Sequence, residues 1–308
     1  MNNIAIRTAV PILFLLGAGL LSRRRKILQS GDERVLSAYV YYFALPSLFL
    51  VNIAEMKFTA EMFAFVLTAI TPVFIVLATY TILYFIFGLQ KNTLYLLILT
   101  TIFGSLAFFG IPFITLAFPT DGEHLATLSA AIIAPISVTT SLLILELYKL
   151  EHSVKSEAFR SVVRRLSKNP LIISILAGFL LSFTGINIPA PLSTFLHMLG
   201  STTSVVAIFM LGVFLYGYQY SSIVMALKLS LLRIIFLPSL TLLMARGFGL
   251  TGIEGEVLVL MHGMPIAISM IVLSERYDFY KETIASLILI SSLGATIYLN
   301  LWLLVLGH

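Results

Sequence analysis

The chain of 308 residues contains no cysteine and little charge, and both absences restrict what it can be. Without cysteine it has no disulfides, no thiol chemistry and no cysteine-ligated metal. Lys, Arg, Asp and Glu together make up only 11% of the residues, whereas hydrophobic residues make up 59%. A soluble domain typically carries about 25% charged residues. The composition therefore predicts a membrane protein.

Long hydrophobic segments follow one another from the first residues to the last. A helix needs about 20 mostly apolar residues to cross a bilayer, and the strands of a membrane barrel would alternate apolar with polar residues. The unbroken runs therefore predict an all-α, polytopic membrane protein. Hydropathy and the polar or Gly/Pro breaks predict ten transmembrane helices, at 4–21, 35–54, 63–87, 94–118, 125–148, 170–184, 191–216, 223–245, 257–273 and 283–306.

Lysine and arginine concentrate in the loops on one side of these ten helices. With the N-terminus outside, fourteen of them fall on the cytoplasmic side and three on the outer side. Cytoplasmic loops carry such an excess, so both termini are predicted to lie outside a plasma or inner membrane. The same bias accounts for the net charge of +5 through contact with anionic lipid, without a nucleic-acid partner.

The two halves of the chain resemble each other. At an offset of 159 residues, Pro11, Ala18 and Gly19 fall on Pro170, Ala177 and Gly178, and at an offset of 153 Gly110-Ile111-Pro112 falls on Gly263-Met264-Pro265. Five spans per half means that the halves must be inverted relative to each other in the membrane. The predicted organisation is a first five-helix repeat at 1–150, a cytoplasmic linker at 151–169 and a second five-helix repeat at 170–308.

The matched Gly-x-Pro triplets predict breaks in helices 4 and 9. Proline lacks an N–H and clashes with the preceding turn, and the glycine two residues earlier offers little resistance to unwinding. Inverted-repeat transporters place the substrate near the midplane, at discontinuous helices of this kind. Helices 4 and 9 are therefore predicted to break at Pro112 and Pro265 and to cross there. The alternative is a pair of ordinary proline kinks.

The candidate substrate-binding residues surround the two predicted breaks. A hydroxyl at Ser105 or Ser269 can bind a carboxylate, or it can bond to its own helix. An ionisable residue at mid-membrane is a functional candidate by default, so His262 is read as a proton relay or anion contact, with a neutral imidazole bonded inside the bundle as the alternative. The full set is Ser105, Gly110, Ile111, Pro112, His262, Gly263, Met264, Pro265 and Ser269.

Arg233 falls about halfway through the eighth span, where a cation is costly unless it is paired or hydrated. It is a candidate charge contact for an anionic substrate. It could instead bind Glu146 or helix carbonyls in a structural role. The sequence leaves both interpretations open.

Enzymatic chemistry finds no support in the sequence. The five histidines show no His-x-x-x-His spacing, and no serine lies in a convincing nucleophile motif. The chain is therefore predicted to be no enzyme and to hold no metal site or cofactor, with sodium or proton as a coupling ion left open. A non-transporting receptor or sensor is an alternative to a transporter.

Three segments resemble the auxin efflux carrier family of permeases. They are 104–112, similar to that family's Gly-Asn-x-Gly-Phe-x-Gly-x-Pro pattern; 169–192, similar to its sixth helix; and 264–277, similar to its ninth-helix signature. The resemblance implies a secondary transporter that moves a small organic anion by alternating access. A sodium-coupled symporter of the bile-acid type, which shares the fold, is the alternative. Ser105 and Ser269 stand where the family usually has Asn, and a hydroxyl offers fewer donors than an amide.

The resemblance also implies how the spans divide. Spans one, two, six and seven would form a scaffold, through which two copies could form a homodimer. The other six would form a moving transport unit.

Overall fold

The computed structural model describes residues 4–29, 31–55, 62–149, 163–164, 167–216 and 223–308. Within these ranges the chain is almost entirely helical, with one isolated antiparallel bridge between Gly104 and Ile266 and no strand. The all-α prediction is confirmed. Most of the predicted linker at 151–169 lies outside the described residues, so that boundary stays a prediction.

The helices follow the predicted spans within a few residues at each end. Six of them, α2, α3, α6, α8, α9 and α12 in the numbering below, are long and apolar enough to cross a membrane. The described helices are α1 (Ile4–Arg24), α2 (Asp32–Ala54), α3 (Met62–Phe87), α4 (Lys91–Ile102), α5 (Leu106–Ala117), α6 (Gly122–Lys149), α7 (Pro170–Thr184), α8 (Ala190–Leu215), α9 (Ile223–Gly247), α10 (Ile253–His262), α11 (Ser269–Tyr277) and α12 (Lys281–Leu306).

Side-chain contacts show which helix ends lie together. At one end, which we call the terminal end, Glu55 accepts a hydrogen bond from Ser193 at 2.8 Å. At the same end of the helices, the ring of C-terminal His308 lies 2.8 Å from the Glu256 carboxylate. At the opposite end, the Tyr277 hydroxyl donates to Glu146 at 2.5 Å, which joins the last turns of α11 and α6. The chain thus passes back and forth between two polar ends.

Among the prolines that lie inside the described helices without breaking them, three share one local structure. Each follows a wider π-helical turn that ends two residues earlier, at Val40–Ala44 before Pro46, Leu106–Gly110 before Pro112 and Leu232–Phe236 before Pro238. A π turn relieves the clash between the proline ring and the preceding turn. The carbonyl of Ile234, four residues before Pro238, instead accepts a hydrogen bond from the Trp302 indole at 2.8 Å.

The predicted break in helix 4 at Gly110 and Pro112 is therefore wrong in position. The fourth span is interrupted at residues 103–105, between α4 and α5, and the π turn carries the helix through Pro112. The ninth span breaks where the sequence predicted, because α10 ends at His262 and α11 begins only at Ser269.

Candidate functional site

The two interrupted segments pair with each other through their backbones. The Ser105 N–H donates to the Pro265 carbonyl at 2.7 Å, and the Ala267 N–H donates to the Phe103 carbonyl at 3.1 Å. These two bonds flank the bridge between Gly104 and Ile266. In a continuous helix these N–H and carbonyl groups would bond within the helix. Here they form hydrogen bonds between the two spans, deep inside the bundle.

Arg233 of α9 reaches this junction with a side chain that is only 1% exposed. Its guanidinium donates one hydrogen bond to the carbonyl of Thr101, in the last turn of α4, and another to the carbonyl of Met264, just after α10. A Cβ atom added to Gly104 would lie 1.6 Å from Nη2 of Arg233, so the missing side chain of this glycine makes the room that the guanidinium occupies.

The charge of Arg233 has no carboxylate partner in the part of the chain that the structure describes. Nη2 forms no hydrogen bond there, so its donors face the junction unused. Among the same described residues, no three His, Asp or Glu side chains gather in a way that could hold a metal. The junction therefore holds a buried guanidinium that has donors to spare.

The two interrupted segments offer further donors. The backbone N–H groups of Ala107 and Phe108, at the start of α5, and of Ile268 and Ser269, at the start of α11, have no hydrogen-bond acceptor within the described ranges. The hydroxyls of Ser105 and Ser269 likewise make no hydrogen bond to described residues, and Ser269 is exposed whereas Ser105 is buried. Helix N-termini carry partial positive charge, so this arrangement suits an anion.

Some of the sequence-predicted residues meet at the junction. Ser105 and Pro265 are bonded to each other, and Met264 supplies a carbonyl to Arg233. Gly110 packs tightly on the other span, because an added Cβ would lie 2.8 Å from the Met261 sulfur. Gly263 is the first residue after α10 and is buried beside these groups.

Other predicted residues lie elsewhere. Ile111 and Pro112 are buried within α5. The π turn keeps the helix continuous there, and the interruption lies about two turns earlier in the chain. The buried His262 ring donates from Nε2 to the Ala69 carbonyl of α3 at 3.0 Å, which is the bundle-bonded alternative. Arg233 binds helix carbonyls, whereas Glu146 accepts a hydrogen bond from Tyr277.

Sequence reasoning missed three contributors to the junction. Gly104 makes room for the guanidinium, the Thr101 carbonyl binds it, and the Ser291 hydroxyl of α12 accepts the Ile266 N–H at 3.2 Å. Gly104 opens the segment that resembles the permease pattern, so a signal was present. The sequence could not show that the glycine faces α9.

Comparisons with known proteins agree across the whole chain. A family model described as "Membrane transport protein" matches residues 4–303. The chain is 24% identical over 315 residues to the uncharacterized transporter YfdV of Escherichia coli, covering 99% of this chain and 98% of that protein. It is also 24% identical over 299 residues to the uncharacterized transporter MJ1031 of Methanocaldococcus jannaschii, covering 94% and 95% of the two chains.

Proposed function

Because the chain belongs to the membrane transport protein family, we propose that it carries a small organic anion across the membrane by alternating access at its two paired helix breaks. The observation that carries this proposal is the junction itself, where the fourth and ninth spans are bonded to each other beside the buried guanidinium of Arg233. Transporters built from inverted repeats bind substrates at discontinuous helices of this kind.

The proposal includes ten spans in two inverted halves, with α4–α5 crossing α10–α11. Two glycines at equivalent positions of the internal repeat support it. Gly19 of α1 lies against the backbone of α8, and Gly178 of α7 lies against α2, so each glycine packs on a helix of the other half. A two-fold relationship between the halves would produce this exchange of contacts. Homodimerisation through α1, α2, α7 and α8 stays a prediction.

The donors at the junction favour an anionic substrate over a neutral or cationic one. Arg233 and the Ser105 and Ser269 hydroxyls can donate, as can those N–H groups at the starts of α5 and α11 that lack an acceptor within the described ranges. No described carboxylate competes for them. A carboxylate group is planar and accepts several hydrogen bonds at once, which matches donors arriving from two helices and a guanidinium.

The direct test is uptake of a panel of labelled mono- and dicarboxylates into proteoliposomes containing the purified protein. We expect saturable uptake of at least one anion. Ser105→Ala and Ser269→Ala should each raise its KM about tenfold, because a hydrogen bond to a charged group is worth about 1.5–3 kcal/mol. Ser201→Ala, which removes an exposed hydroxyl bonded to its own helix, is the matched control.

No saturable flux of any anion, in either vesicle orientation, would contradict the carrier and favour a receptor or sensor. Uptake that is unchanged in both serine variants would leave a carrier whose substrate binds elsewhere.

The terminal end carries side-chain bonds between the proposed scaffold and the proposed moving unit. Thr8 of α1 donates to Asn300 of α12 at 2.9 Å, and Asn52 of α2 donates to Glu123 of α6 at 3.2 Å. In the proposed cycle these bonds keep the terminal end closed, and the exposed Ser269 is reached from the opposite end. We propose that the terminal end faces the outside of the cell, because described basic residues such as Arg23 and Lys91 lie at the other end of the helices.

We expect the double variant Asn52→Ala/Asn300→Ala to open the terminal end more often. Two hydrogen bonds of about 0.5–1.5 kcal/mol each should increase the open population by about tenfold. The natural absence of cysteine allows one to be introduced at Ala117, which is 2% exposed at the end of α5, and its labelling rate to be measured in nanodiscs.

The control for this experiment is Tyr39→Phe, which removes a 2.8 Å bond to Thr202 inside the proposed scaffold and should leave labelling unchanged. Equal labelling rates in the double variant and the parent would contradict a latch at the terminal end.

A further inference from the structure

Both carbonyls that Arg233 binds lie at the C-terminal ends of helices. Thr101 lies in the last turn of α4, and Met264 follows the C-terminus of α10 by two residues. A helix C-terminus carries about half a unit of negative charge, so the two ends together present about one unit to the same point. A single guanidinium, which stays protonated in proteins, matches that charge.

In secondary transporters, unwound carbonyls and half-helix C-terminal ends are the groups that coordinate a coupling sodium ion. Here those groups are already occupied by hydrogen bonds from the protein's own cation. A second cation at the same carbonyls would have to displace the guanidinium or lie against it. Among the side chains that the structure describes, no carboxylate lies at the junction to offset two positive charges.

We propose that the guanidinium of Arg233 takes the place of a coupling cation, so that the carrier works without sodium, and that the Thr101 and Met264 carbonyls become a sodium site once this side chain is removed. The proposal rests on the proposed function, because only a carrier has a coupling ion to replace. Gly104 supports this proposal, because its lack of a side chain leaves room for a guanidinium. A bare ion is far smaller and would not need that room.

The first arm of the test measures cation binding without any substrate. The thermal midpoint of purified Arg233→Ala should rise by at least about 3 °C in sodium chloride compared with choline chloride at equal ionic strength. Guanidinium chloride, kept far below denaturing concentrations, should stabilise the same variant. The wild type and Arg233→Lys, which keep a tethered cation, should respond to neither ion.

Two further variants keep the result interpretable. Arg246→Ala removes an exposed arginine from the same helix and should behave as the wild type does. Arg233→Gln removes the charge but keeps a donor for the carbonyls, and it serves if the alanine variant does not fold. Sodium stabilisation of the wild type, or no stabilisation of either neutral variant by sodium or guanidinium, would overturn the proposal.

The second arm compares wild-type uptake, in sodium and in choline, of whichever carboxylate the panel identifies. We expect equal initial rates. Uptake that requires sodium would overturn the inference and leave the anion carrier intact, as a symporter. A complete lack of uptake would instead reject the proposed function, while the thermal arm still decides whether Arg233 occupies a cation site.

Discussion

Gly104→Ala is expected to reduce anion uptake by at least about a hundredfold while the protein still folds. The three atoms nearest to an added Cβ all belong to Arg233: Nη2 at 1.6 Å, Cζ at 2.3 Å and Nε at 2.9 Å. The side chain would have to withdraw and give up its bonds to both helix ends. Two hydrogen bonds from a charged donor, at about 1.5–3 kcal/mol each, account for a loss of this size.

The fold should tolerate this change better than transport does, because the clash is with the far end of a flexible side chain and not with the backbone. Initial uptake rates and thermal midpoints measured on the same preparations separate the two effects. Gly17→Ala is the control, since an added Cβ there meets nothing within 4 Å.

A double-variant cycle identifies the cause. Once Arg233→Ala has removed the clashing side chain, adding Gly104→Ala should change uptake and stability little further. A single Gly104→Ala variant that transports at the wild-type rate would mean that the position of Arg233 does not matter for the cycle.

The positions of the helices could be predicted well from the sequence, because the thickness of the bilayer sets the length of each crossing helix. A crossing helix must hold about 20 apolar residues, and a charged or Gly/Pro-rich segment must follow it. Spans such as 170–184 and 283–306 could therefore be read from hydropathy to within about two residues. Loop charges and the internal repeat added an orientation and a symmetry, which stay predictions.

The position of the fourth break could not be read in the same way. Proline is the strongest local signal for a break, and it pointed to Pro112, but three of the internal prolines are accommodated by π turns. What holds the segment at 103–105 open is a partner from another part of the chain, through the bonds of Ser105 and Phe103 to the ninth span. A contact between residues about 160 positions apart leaves no local pattern.

The role of Arg233 was undecided for a similar reason. The sequence placed a cation at mid-membrane and offered Glu146, helix carbonyls or a substrate as partners. Only the packing of α9 against both interrupted spans selects the carbonyls. The glycines of α1 and α7 form part of the internal repeat in the sequence, but the repeat does not reveal what they contact.

Gly19→Val and Gly212→Val are each expected to prevent the accumulation of folded protein. A Cβ added to Gly19 would lie 2.1 Å from the Phe209 carbonyl oxygen, and one added to Gly212 would lie 2.1 Å from the Leu16 carbonyl oxygen. Both obstacles are backbone atoms of the opposing helix, so no side chain can rotate away. Small residues at such positions let membrane helices approach closely and pack through dispersion forces.

To accommodate either valine, α1 and α8 would have to move apart along their shared face. The cost should exceed about 3 kcal/mol, the upper end of what overpacking usually costs, because every contact around the glycine pair is stretched together. Size-exclusion profiles and thermal midpoints in detergent measure the effect. Gly17→Val, two residues from Gly19 on the same helix and in open space, should give a normal monodisperse peak. If Gly19→Val gave that same peak and midpoint, the close approach of α1 and α8 would be wrong. The proposal that Gly19 and Gly178 make equivalent contacts between the two halves would then be wrong as well.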